Sequence, residues 1–235
     1  MKQHNFTLIE MLLVIAVAAI LMGITVPAFS AMSEGRLRNQ AAAQVSAQLS
    51  LARTYSVTNN CFTAVVMPLA DELGETATLA NGVTRIAVVY KDGDKYKFVK
   101  WAEDSNWDPL PSGVLFGEKD EDYAINDSSG EFEEVENVPC GSIIPKEGKP
   151  QEDNEEEITI SRAVIFKSNG QVLMPSGDEV KEFVIRFAEG VKLPESENFT
   201  WKTTRDGDDE KISYTVLTVN PLTARTKITH TLVDK

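Results

Sequence analysis

With 235 residues and a formal net charge of −13, the chain is long enough for one domain with additional segments and short for two. Hydrophobic residues at 42% and charged residues at 25% are globular proportions, yet residues 118–157 hold 15 acidic residues against three lysines, leaving the rest nearly neutral. That balance excludes the broad basic face that phosphate neutralisation demands of a nucleic-acid binder.

Residues 6–30 read FTLIEMLLVIAVAAILMGITVPAFS. Leu12 to Ile20 is unbroken apolar, and Gly23, Thr25 and Pro27 dilute the stretch after it. About 20 such residues span a bilayer core, so a membrane-spanning helix is expected. A secretory signal peptide or a plain signal anchor is the alternative, with Pro27 to Ala31 offering an A-x-A-like cleavage site. Glu10 separates these readings, because an ionised carboxylate in such a run costs roughly 2.5–3.5 kcal/mol. A signal peptide has no use for it. A positively charged amine at the new N-terminus of a neighbouring subunit would be a partner for it.

FTLIEMLLVIAVAAI resembles the N-terminal motif of type IV pilins and type II secretion pseudopilins. The resemblance implies that a prepilin peptidase cuts between Asn5 and Phe6 on the cytoplasmic side and methylates the new amine of Phe6. Residues 1–5 are then the leader, Glu10 the carboxylate used in filament assembly, and Pro27 a helix-kinking proline. The family normally has Gly or Ala before the cut, so Asn5 is a departure that bears on cleavage efficiency. Lys2 on one flank and Arg36 and Arg38 on the other leave orientation unset by the positive-inside rule. A cytoplasmic N-terminus and an extracytoplasmic C-terminal domain are implied by the resemblance.

From Glu34 to Val57 no proline occurs and alanine is frequent. Leu37, Ala41, Val45, Leu49 and Ala52 recur at three- or four-residue spacing beside Arg36, Asn39, Gln40 and Gln48, which predicts an amphipathic helix lying against a sheet. Residues 31–58 thus read as the continuation of the membrane helix. The two halves together would run about 75 Å at ~1.5 Å per residue.

Beyond it, in a β domain over residues 59–235, the period changes to two. Strands are expected at Cys61–Met67, Val83–Tyr90, Lys95–Trp101, Val114–Phe116, Ile158–Phe166, Gln171–Met174, Glu182–Phe187, Lys211–Val219 and Thr226–Val233. Asp92-Gly93 and Asn169-Gly170 are hairpin signals. The fold class is therefore α+β: a long N-terminal helix packed on an antiparallel sheet or sandwich of about eight strands. Residues 118–157, with Pro139, Pro145 and Pro150 and no regular period, read as a solvated acidic insertion. Four fragments of this region resemble the H-type minor pseudopilins: LARTYSVTNN (51–60), LPSGV (110–114), FKSNGQV (166–172) and VNPLTARTKI (219–228). In the last, Ala224 stands where a Gly is common.

Clustered carboxylates raise a calcium reading, with Asp120, Glu121, Asp122 and Asp127 as one set and the run Asp206 to Glu210 as another. Neither has EF-hand spacing, and solvated turns account for both, so no cofactor is assigned. Cys61 and Cys140 match neither a CxxC pair nor a zinc site; an exported domain would permit one disulfide between them, and two free thiols fit equally. His4 lies in the leader and His230 on a terminal strand, and no catalytic motif is present. Trp101 and Trp107 bracket an acidic turn, as core or as a recognition patch.

These features predict a structural subunit, not an enzyme: a minor pseudopilin of a type II secretion pseudopilus. Its partners would be other pilin-type subunits, the prepilin peptidase, an inner-membrane assembly platform and membrane lipid. A minor type IV pilin, including one that binds DNA through Arg225, Lys227 and Lys235, is the alternative. So is a signal-anchored β-domain protein unrelated to filaments.

Overall fold

The computed structural model describes residues 8, 11–18, 21, 35–68, 82–117, 132–139, 157–173, 182–192, 199–206 and 209–234. The chain divides into two units, Met1–Leu37 and Arg38–Lys235. In the first, residues 11–18 are helical (α1), a stretch without glycine or proline to break it.

The helix α2, Arg36–Asn59, lies almost wholly in the second unit. It ends where Asn60 takes a left-handed conformation (φ 49°) and the Cys61 amide donates back to the Ser56 carbonyl at 3.1 Å. This is a Schellman stop, which satisfies a carbonyl that the helix leaves open. Ala41, Ala42, Val45, Leu49, Ala52 and Ser56 form its buried face, so the expected stripe holds except at Leu37, which is 41% exposed. Alanines at three of these positions let the helix backbone approach the strands closely.

Twelve strands among the described residues form two sheets. In the first, β1 (Phe62–Val66) pairs with both β2 (Val83–Asp92) and β7 (Glu157–Phe166); β2 pairs with β3 (Lys95–Trp101), and β6 (Glu133–Pro139) joins β3 to β7. The circuit β1-β2-β3-β6-β7-β1 is closed. An odd ring cannot alternate direction throughout, so one pair must be parallel. That pair is β3–β6, at Tyr96↔Val135 and Lys97↔Glu136; the others are antiparallel.

The ring interior is filled by Ala64, Val66, Ala87, Val89, Tyr96, Val135, Val138, Ile160, Ala163 and Ile165. Small side chains dominate because few strands leave a narrow bore. Alternate residues of the same strands (Val65, Met67, Ile86, Val164 and Phe166) face outward into a second cluster with α2 and the second sheet. Both faces of β1 are thus covered, which is why residues 63–67 are buried without a break.

The second sheet runs β12-β11-β8-β5, with β12 Thr226–Asp234, β11 Asp209–Val219, β8 Phe183–Lys192 and β5 Val114–Phe116. Strand β10 (Thr203–Asp206) lies beside the start of β11, and β9 (Phe199–Trp201) pairs with the end of β8. Phe116, Phe183, Ile185, Phe187, Leu217 and Val219 face α2 and the ring. The two-residue β4 (Asp108–Pro109) pairs with the start of β2.

Two expectations are corrected. The acidic stretch is not wholly an insertion between strands, because β6 lies inside it, with Val135 and Val138 fully buried. Those valines are three residues apart, and the register slips between them against Ile160 and Ile158. The intervening Asn137 has φ 60°. A bulge has broken the period of two. The strand set is also larger than about eight and not wholly antiparallel, since short strands and a parallel closure carry little sequence signal.

Both hairpin signals form turns. Asp92 pairs with Lys95, so Gly93 (φ 65°) occupies the first central position, as a type II′ turn requires. At Asn169-Gly170, the Gly170 amide donates to the Lys167 carbonyl and the Lys167 amide to the Gln171 carbonyl, both at 2.8 Å. The partner strand there is a single Phe166↔Val172 bridge, and Met174 lies outside the described residues. The Val172 amide donates to the Pro221 carbonyl at 2.9 Å, which ties this hairpin to the β11–β12 turn.

In that turn Asn220 Oδ1 accepts from the amides of Leu222 (3.1 Å) and Thr223 (2.9 Å), and Ala224 is left-handed at φ 53°. This explains why glycine suits the position. Ala224→Gly relieves about 1–2 kcal/mol of steric strain but adds unfolded-chain entropy. A net stabilisation of about 0.5–1 kcal/mol is expected in urea denaturation, and a loss would show the turn to be otherwise built.

Candidate functional site

The most unusual surface belongs to α1. Leu8, Met11, Leu12, Leu13, Val14, Ile15, Val17 and Leu21 are between 48% and 79% exposed. Residues 11–18 make more than two helical turns, so the exposed apolar surface goes all the way round. Ordinary surface helices bury one stripe and wet the other. Covering these eight side chains would release on the order of 10 kcal/mol. A helix apolar on every side is matched by hydrocarbon or by other apolar helices. Residues 11–18 rise only about 12 Å, and among the described residues no helix is long and apolar enough to cross a membrane. Asn5, Phe6, Glu10 and Pro27 lie outside the described residues.

The helix α2 is fastened to the β domain by polar side chains flanking its apolar stripe. Arg38 donates to the Ser213 carbonyl and pairs with Glu189 at 3.4 Å. Glu189 also takes Lys202 at 2.9 Å. Ser46 shares a hydrogen bond with Thr226 (2.7 Å), Gln44 donates to the Pro109 carbonyl (2.8 Å) and Gln48 to Asp108 (3.0 Å). The Thr63 hydroxyl, fully buried, donates to the Ala52 carbonyl at 2.9 Å. These anchors were visible in sequence only as polar residues beside the stripe; their partners are distant in the chain.

The other sequence candidates are scattered. Asp120, Glu121, Asp122 and Asp127 lie outside the described residues, and so does Cys140. Asp206 pairs with Asp209 across the β10–β11 hairpin, and no group of metal-binding side chains occurs among the described residues. Cys61 is a free thiol, pushed up by burial and drawn partly back by Lys100. It precedes β1 at the Phe166 end of β7, since Thr63 pairs with Phe166. Pro139, the residue before Cys140, pairs with Glu157 at the other end. The length of β7 between them is about 30 Å at ~3.3 Å per residue.

His230 is exposed on β12, with Nδ1 3.2 Å from the Thr215 hydroxyl. Trp101 packs edge-on against Trp107 (5.2 Å) and Phe98 (4.7 Å), with Arg85 4.0 Å over its ring. The group packs against the ring interior, which gives Trp101 a core role. Trp201 packs on the opposite face of the second sheet, beside Ile212 and Tyr214.

Residues 1–26 match the family model described as the prokaryotic N-terminal methylation motif, the mark of type IV pilins and pseudopilins. No curated protein and no solved structure matches the chain.

Proposed function

We propose that this chain, which begins with the N-terminal methylation motif of type IV pilins and pseudopilins, is a minor pseudopilin. It would be a structural subunit of a type II secretion pseudopilus. The observation that carries the reading is the apolar helix exposed on every side. Before assembly its partner is lipid, with the N-terminus cytoplasmic and the β domain periplasmic. In the filament its partners are the same helices of other pilin-type subunits. Exchange of lipid for like helices leaves the hydrophobic surface covered throughout, so the transfer is energetically feasible. Glu10 pairs with the Phe6 amine of a neighbour and sets the register. The β domain projects outward and carries no catalytic role.

Processing tests this directly. N-terminal sequencing and mass spectrometry of the mature chain are expected to give a start at methylated Phe6. A start near Ala31 would make residues 1–30 a secretory signal and end the proposal. An uncut chain would assign the block to Asn5, which Asn5→Gly is then expected to lift.

A further inference from the structure

The second sheet ends in β12, nine residues paired with β11 in unbroken register from Lys211↔Asp234 to Val219↔Thr226. Its outer edge faces no other strand among the described residues. Long edges are usually blunted by proline, a bulge or a covering segment; Thr226–Asp234 contains no proline and its ladder no bulge. Ile228 (41% exposed) and Leu232 (53%) share one face with His230, two residues from each.

We propose that β12 pairs with itself: two copies of this chain join their second sheets antiparallel, about a two-fold axis through His230. The sequence TKITHTLVD is self-complementary in that register. Ile228 of each copy falls opposite Leu232 of the other, and Thr229 opposite Thr231; apolar and Thr–Thr cross-strand pairs of this kind stabilise sheets. Lys227 meets Val233 and Thr226 meets Asp234, so no like charges oppose. A two-fold axis demands this mutual matching, and a shift by one residue would place Ile228 against Thr231 and lose it. The edge groups of both copies are satisfied, and the joined sheet reads β8-β11-β12-β12-β11-β8. The site lies in the unit Arg38–Lys235 and does not depend on the function proposed for the N-terminus.

The full chain in detergent micelles, carrying Cys61→Ser and Cys140→Ser, is the material for the test. Residues opposite each other in an antiparallel pair have Cα atoms about 4.5–5.5 Å apart, within disulfide reach. His230→Cys, on the axis, is expected to cross-link to a dimer on mild oxidation roughly tenfold faster than Thr226→Cys, which lies opposite Asp234. Equal rates, or no cross-link at His230→Cys, would overturn the register. Leu232→Lys is expected to raise the dissociation constant roughly tenfold, and Ile228→Glu combined with Leu232→Lys to restore it, since each new carboxylate faces the other copy's new ammonium. A chain monomeric at every concentration would refute the pairing. So would a double variant no tighter than Leu232→Lys alone, or β12 taken up by a different pilin-type subunit in preference to its own copy.

Discussion

Val135→Asp is expected to unfold the five-stranded ring. Val135 is fully buried, pairs with Ile160 on one side and Tyr96 on the other, and lies inside the ring. An aspartate there removes apolar burial and places a carboxylate among the apolar side chains of the ring interior. A buried charge without a partner costs several kcal/mol, so a loss of about 4 kcal/mol or more is expected, against a total of about 5–15 for a domain. The ring also loses its parallel closure, because among the described residues β6 is the only link between β3 and β7. Glu134→Gln is the control, since Glu134 is exposed on the same strand and its charge is expected to matter by less than about 0.5 kcal/mol. Urea denaturation of the two variants decides between a strand and a solvated loop. Equal stabilities would return residues 133–139 to the loop that composition suggests.

Glu10→Ala carries the largest expected effect on assembly. Removing the carboxylate makes residence in the bilayer easier by roughly 2.5–3.5 kcal/mol, so the variant is expected in the membrane fraction at undiminished level. If Glu10 and Phe6 pair as proposed, the same change leaves a neighbour's amine at Phe6 without its counter-charge in an apolar surrounding, where an unpaired ion is costly. Incorporation is expected to fall by roughly tenfold or more, equivalent to losing about 1.4 kcal/mol. Quantifying the variant in membranes and in sheared filaments gives both numbers. Loss from the membrane would assign Glu10 a role in insertion, and normal incorporation would remove it from the assembly mechanism.

The legible parts of this molecule are those whose signal is local. The stripe Ala41, Val45, Leu49 and Ala52 announced α2, and Lys95–Trp101 and Val114–Phe116 coincide with β3 and β5, because a period of 3.6 or two is written in neighbouring residues. Asp92-Gly93 and Asn169-Gly170 marked turns for the same reason. The strand β6 was missed since its bulge at Asn137 puts the buried valines three apart, and its glutamates mimic a loop. Ring closure was also hidden: β1 meets β7 through Thr63↔Phe166, and no local pattern records a contact across that span. The roles proposed for Phe6 and Glu10 rest on chemistry that a plain anchor does not need. Arg38, Gln44 and Ser46 were not legible, because a polar side chain beside an apolar stripe does not name its partner.

The pairing of Pro139 with Glu157 gives the two parts of the acidic stretch different fates. Residues 139 and 157, which bound the stretch 140–156, hold partnered positions about one strand spacing (~4.8 Å) apart. A connection closed in this way can grow or shrink cheaply: doubling its length costs only about 0.6 kcal/mol. Its carboxylates can be added, lost or rearranged while every strand keeps its partner. Residues 133–139 have no such freedom, because one residue inserted there would turn Val135 or Val138 outward. Within a single run of negative charge, then, one part is open to drift in length and the other is held to a fixed count.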